Sequence, residues 1–191
     1  LHQNPAQYIQ LLQQARLNDD IEVTHYASTA MMEVQREYEL ELQKYERQLR
    51  QSPEDEKALL NCIRTLRRYI DSGLIDDEVL YIQRKRYADL LSKRMEQAPD
   101  DKPVFYAAAD NCLELEDYST GNTLIDSILE KWPEDENAWF LKLKYCQKTN
   151  DGALLTHTVK EIRRRNIYLS PAGKQTLQFW SRSLDREAES V

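Results

Sequence analysis

The residues of this 191-residue chain that could do chemistry are three cysteines, three histidines, several clusters of acids and three arginine-rich runs. Cys62, Cys112 and Cys146 are widely spaced, odd in number and form no Cys-x-x-Cys pair. Neither a disulfide framework nor a zinc site follows from that spacing. No two of His2, His25 and His157 stand four apart, the spacing that brings two rings of one helix to one metal. No nucleophile–base arrangement and no Gly-rich phosphate loop accompanies them. The expectation is a chain that is not an enzyme, with no cofactor and no metal.

The charged groups point to partners of one kind. The net charge is −7, whereas a general nucleic-acid or anionic-membrane binder needs a basic face. Residues 101–150 carry 10 acids against 5 bases, and residues 151–191 carry 5 against 7, a polarity that suits protein partners. The runs RTLRRY (64–69), QRKRY (83–87) and EIRRRN (161–166) either line solvated helix faces or bind an acidic partner. A nucleotide or nucleic-acid sensor built on Arg64–Arg68 and Arg84–Arg86 is the competing reading. Arg68 and Asp71 spell Arg-x-x-Asp, which binds cyclic di-GMP in some signalling proteins; three apart within a helix they read as an ion pair. His25, in EVTHYAST, reads as a hydrogen-bonded helix-packing residue. Unpaired cysteines suit a reducing, cytoplasmic setting.

The elements that must position these groups are helices. Gly is 4 and Pro is 6, few turns are available, and 31% of the residues are charged. No apolar run approaches the ~18 residues of a membrane span, so this segment does not insert directly into a membrane. Aligning 99–132 on 133–166 superposes Pro99 on Pro133, Phe105 on Trp139, Tyr106 on Phe140 and Cys112 on Cys146. Asp117 falls on Asp151, Ile125 on Val159 and Ile128 on Ile162. Proline breaks each preceding helix, and the acids after it complement the dipole of the next. SPEDE (52–56) reads as a third instance, with Ser52 as N-cap and Pro53 at the first helical position. Cys112 and Cys146 then read as equivalent small core residues.

The periodicity predicts helices at roughly 4–17, 19–51, 54–72, 76–97, 102–115, 118–131, 135–149 and 152–166, plus a cap at 171–186. Asn4 reads as the first N-cap. The segment 19–51 carries an apolar stripe at Ala27, Ala30/Met31, Val34, Tyr38, Leu42, Tyr45 and Leu49, flanked by pairs such as Glu46–Arg50. At about 1.5 Å per residue it makes one helix of roughly 45 Å. Four parts follow: residues 1–51, an N-terminal helical hairpin with the long helix; 52–98, an extended hairpin; 99–169, two repeats; and 170–191, a capping helix and tail whose face carries Leu177, Trp180 and Leu184.

A helix–turn–helix unit with an early aromatic and a closing proline resembles the tetratricopeptide repeat. The better copy is VFYAAADNCLELEDYSTGNTLIDSILEKWP (104–133). Phe105 stands where the family has Trp, Ala109 where it has a small residue, and Gly121 at the close helix contact. The second copy has Trp139 in place but carries Leu143 and Leu155 where small residues are usual, which implies splayed helices. The resemblance implies an all-α, right-handed superhelix of helical hairpins. Its concave groove would present Tyr106, Asp110, Phe140, Lys144 and Lys148 to a peptide or helix. Packing of Tyr106 and Phe140 against neighbouring helices is the other reading of those two aromatics. The Lys/Asn/Arg set that clamps a chaperone's C-terminal carboxylate is missing.

Over most of its length, from DDIEVTHYASTAMMEVQREYELELQKYERQ to EKWPEDENAWFLKL, the chain resembles the cytoplasmic part of the PelE family. These are the tetratricopeptide proteins of the Pel exopolysaccharide (biofilm) machinery. That resemblance implies a non-catalytic protein–protein interaction scaffold organising membrane-bound polysaccharide synthase components. It would be cytoplasmic, tethered to the inner membrane by a segment that this sequence, which starts at Leu1 and not Met, does not include. The alternative is an adaptor of an unrelated bacterial assembly.

Overall fold

The computed structural model describes the backbone of residues 5–189 and the side chains of 7–180. The described residues form nine helices and no strand: α1 (Pro5–Ala15), α2 (Ile21–Gln51), α3 (Glu56–Asp71), α4 (Asp77–Gln97), α5 (Lys102–Glu114), α6 (Tyr118–Lys131), α7 (Glu136–Lys148), α8 (Gly152–Arg164) and α9 (Pro171–Glu189). The chain is all-α, as its periodicity predicts. Asn4 and the side chain of Leu184 lie outside the described residues.

The acid clusters start helices by capping them. The side chains of Asp20, Asp55, Asp117, Asp135 and Asp151 each accept a hydrogen bond from a backbone N–H of the first turn, which would otherwise go unpaired. The start expected at Ser52–Pro53 is corrected. Backbone N–H of Ser52 still donates to Gln48 O at 2.8 Å, so Ser52 closes α2 and Asp55 is the N-cap of α3. Gly73, at φ 66°, turns the chain out of α3 in a conformation that a Cβ would strain.

The chain divides into two compact units, one through Arg94 and one from Met95. In the first, α1 and α3 pack on α2. Ala27, Met31, Tyr38 and Leu42 are the buried members of the long stripe. α3, packed on α2, buries Leu59, Cys62, Ile63, Leu66, Tyr69 and Ile70, a row at helical spacing. Tyr38 stacks on Tyr69 with ring centroids 5.4 Å apart. The Tyr69 hydroxyl, inside the core, donates to Glu39 at 3.2 Å and accepts from Gln35 at 3.1 Å. Glu46 pairs across to Arg86 of α4, and not with Arg50 as the spacing suggested; a tertiary partner displaces the local one. Asp71 pairs with Arg67 at 2.6 Å, while Arg68 lies over the Tyr38 ring at 5.5 Å, so the expected Arg68–Asp71 pair gives way to the i, i+4 one. His25 is exposed, because α2 turns it away from the buried stripe, and the packing role expected for it is corrected.

In the second unit α5 packs on α6, α6 on α7, α7 on α8 and α5 on α7. The 34-residue spacing of the sequence is reproduced in the backbone. Glu116 (φ 59°) and Asn150 (φ 55°) end α5 and α7 in the left-handed region. Behind each, the next N–H reaches back to a cysteine carbonyl: Asp117 to Cys112 at 3.0 Å, Asp151 to Cys146 at 2.9 Å. Cys62, Cys112 and Cys146 are all buried, none of them in a disulfide, and burial raises the Cys62 pKa to about 11. Ala109 and Gly121 allow α5 and α6 to approach closely: a Cβ on Gly121 would meet Leu113 Cδ2 at 3.1 Å. Leu143 and Leu155 fill the equivalent crossing of α7 and α8. Trp139 is buried, and its Nε1 donates to Pro133 O at 2.8 Å. Phe105, its equivalent, is only half-buried and packs edge-on to Trp132 at 5.7 Å. The full interior role expected of it is corrected: the smaller ring lacks the N–H that ties Trp139 down.

Candidate functional site

Tyr106, Asp110 and Glu114 recur every four residues along α5, so they stand in one row, with Lys102 beginning it. Phe140, Lys144 and Lys148 make the corresponding row on α7. The two rows meet. Lys144 Nζ donates to Asp110 and lies 2.9 Å from Glu114, while Lys148 donates to Glu114 at 3.3 Å. Lys102 pairs with Asp135, the N-cap of α7, at 2.8 Å. The structure thus joins three of the five expected groove residues, Asp110, Lys144 and Lys148, in a ladder of alternating charge.

The ladder perturbs its own groups. Burial acts to raise Glu114, but the hydrogen bonds from Lys144 and Lys148 outweigh it and hold the carboxyl below its ordinary range. Burial likewise acts to lower Lys144, and the bonds to Asp110 and Glu114 more than reverse it. Asp135 is held low in the same way: burial is overcome by the hydrogen bonds from Lys102 and the Asn137 N–H. These are ion pairs that join one helix to the next.

The two aromatics of the expected groove are placed differently from the charges and from each other. Tyr106 packs on the core of Ala109, Leu113, Ile125 and Ile128 and meets Trp132 edge-on at 6.1 Å. Its Oη is buried without a hydrogen-bond partner, and burial, with the charge of Asp135 beside it, pushes the phenol well up. Phe140 is half-buried against the cluster of Trp139, Leu143 and Val159. A Cβ on Gly173 of α9 would lie 3.0 Å from the Phe140 ring and 2.5 Å from Glu136, whose carboxylate also accepts from Ser170 N at 2.8 Å.

Sequence reasoning left out Lys102, Glu114, Trp132 and Asp135. The i, i+4 series on α5 would have supplied the first two. Trp132 and Asp135 flank Pro133 and read only as helix punctuation until α5 is folded against them. Among the described residues no cluster of metal-ligating side chains is present, and no helix is long and apolar enough to cross a membrane. No protein-family model matches the chain, and neither the curated proteins nor the solved structures show a match to it.

Proposed function

We propose that the chain is a non-catalytic scaffold of tetratricopeptide-like hairpins whose α5–α7 face engages another protein. The observation that carries this reading is the recurrence of contacts between residues 34 apart. Asp110 bonds Lys144, Glu114 bonds Lys148, and Glu136 bonds the N–H of Ser170, so each repeat grips the next through the same row. Stacking of one supersecondary unit on its neighbour through a constant register builds repeat arrays, and arrays serve as binding surfaces. A right-handed superhelix is the arrangement proposed for it. The half-exposed ladder then forms the floor of the groove, with the Phe140 ring beside it. The resemblance to the Pel family makes membrane-bound polysaccharide synthase components the first partners to test.

The ladder itself supplies the test. The double exchange Asp110→Lys with Lys144→Asp keeps opposite charges facing each other but reverses the pattern that a partner reads. The full chain, immobilised, should retain membrane synthase components identified by mass spectrometry, and the exchanged variant should lose them while keeping most of the native melting temperature. Retention of the same components by the exchanged variant would remove this face from the function. Capture of chaperones and ribosomal proteins alone would remove the Pel assignment.

A further inference from the structure

A second surface stands apart from the ladder. Leu129 of α6, Trp139 of α7 and Leu154 of α8 line a cleft of about 490 Å³. Its other walls are polar, with Lys142, Arg164 and Arg165 beside His157, Thr158 and Glu161. Basic residues in the last turn of a helix ordinarily answer the helix dipole. Here they also border an apolar cleft, and their charge is not balanced. Arg164 donates to Glu161 through Nε and Nη2 at 2.8 and 2.7 Å, and Arg165 donates to the same carboxylate through Nε at 2.6 Å. Two guanidinium groups thus share one carboxylate, which leaves one positive charge in excess. Arg165 is further held over the Trp139 ring, 5.3 Å from its centroid. That contact fixes the guanidinium at the edge of the apolar wall.

We infer that this cleft binds an acidic peptide segment of a protein partner, one apolar side chain of it lying among Leu129, Trp139 and Leu154. A carboxylate of the peptide pairs with Arg164 and Arg165 beside Glu161. The Nη1–Nη2 edge of Arg165 is the one that a second carboxylate takes in a bidentate pair, because Glu161 is met through Nε. A run of phosphates fits less well. Glu161 sits between the arginines, and Asp126 holds Lys142 at 2.7 Å, so a continuous polyanion meets fixed negative charge where an isolated carboxylate does not.

The test is fluorescence anisotropy with the full chain and a labelled peptide, Gly-Asp-Glu-Leu-Asp-Phe-Asp-Gly, beside its counterpart with Asn and Gln for the acids. The acidic peptide should bind saturably at about 50 mM salt and more weakly at about 300 mM, as screening requires. The amide peptide should not bind. Arg164→Ala with Arg165→Ala, both on exposed side chains, should weaken binding by about tenfold or more. Leu154→Ser should weaken it as well, with an unchanged circular dichroism spectrum, while the ladder exchange on α5 and α7 should leave it as it was. The inference is overturned by any of three results: no saturation up to about 1 mM peptide, equal binding by the arginine variant, or tighter binding of a single-stranded oligonucleotide through the same arginines.

Discussion

Replacing Lys144 by Met keeps a long stem on α7 and removes the charge that joins it to α5. The side chains of Lys144, Asp110 and Glu114 are 32%, 24% and 27% exposed, between surface and core. Exposed ion pairs contribute about 0.2–1 kcal/mol each, and hydrogen bonds to charged groups about 1.5–3. Two contacts of intermediate exposure therefore total about 2 kcal/mol at neutral pH. Repulsion between Asp110 and Glu114, four apart on one helix, adds a few tenths. For a chain of this length the melting temperature should fall by about 4–8 °C.

The pH dependence sharpens the test. Glu114 is lowered in the folded state, so its contribution is present above the ordinary carboxylate pKa and is lost as pH falls through the lowered one. Lys144 is raised, so its contribution is present below the ordinary lysine pKa and is lost as pH rises through the raised one. In the native protein the ladder should hold steadily from about pH 5 to about pH 10. In Lys144→Met the acid limb flattens, because Glu114 keeps only Lys148 as a partner and faces Asp110 without the cation between them. Urea midpoints of the two proteins should therefore differ by a steady amount down to about pH 5 and converge as pH falls below it. The exchange Asp110→Lys with Lys144→Asp should recover most of the loss that either single change causes. An unchanged melt, or midpoints that diverge on acidification, would refute the ladder.

The remaining predictions concern the core of the second unit. Trp139→Ala should cost about 3–5 kcal/mol, and Phe105→Ala less, about 2–3, because Phe105 is only half-buried; denaturant titration ranks them. Tyr106→Phe should be neutral or stabilise by about 1 kcal/mol, since it removes a buried hydroxyl that has no partner, and a loss above about 1 kcal/mol would show that Oη is bonded. Gly152→Ala, with open space around it, should stabilise by about 0.4–1 kcal/mol. Gly121→Val should destabilise by about 1–3 kcal/mol against Leu113, and thermal melts compare the two. Native Cys112 and Cys146 should resist a thiol reagent until the protein unfolds, as followed by absorbance of the released thiolate.

The sequence by itself determined the helices and their approximate starts, the start of α3 excepted, where Ser52 closes α2 and Asp55 is the cap. Helical periodicity and Asp caps are local properties, settled within a turn or two of chain, and the observed bounds fall close to those read from spacing. The same holds for the paired cysteines, because a residue repeated every 34 positions on a packed face must be buried twice. What the tertiary structure alone decided is which charges meet. Asp110 has Tyr106, Ala107, Leu113 and Glu114 three and four residues away on its own helix, none of them basic, and its partner is Lys144, one repeat away. Glu46 bypasses Arg50 for Arg86, and Asp71 takes Arg67 while Arg68 turns to a ring on another helix. A long charged side chain has several partners within reach along its own helix, at energies a few tenths of a kcal/mol apart. Packing two helices together adds a drier, better-aligned partner, and that difference selects the pairing.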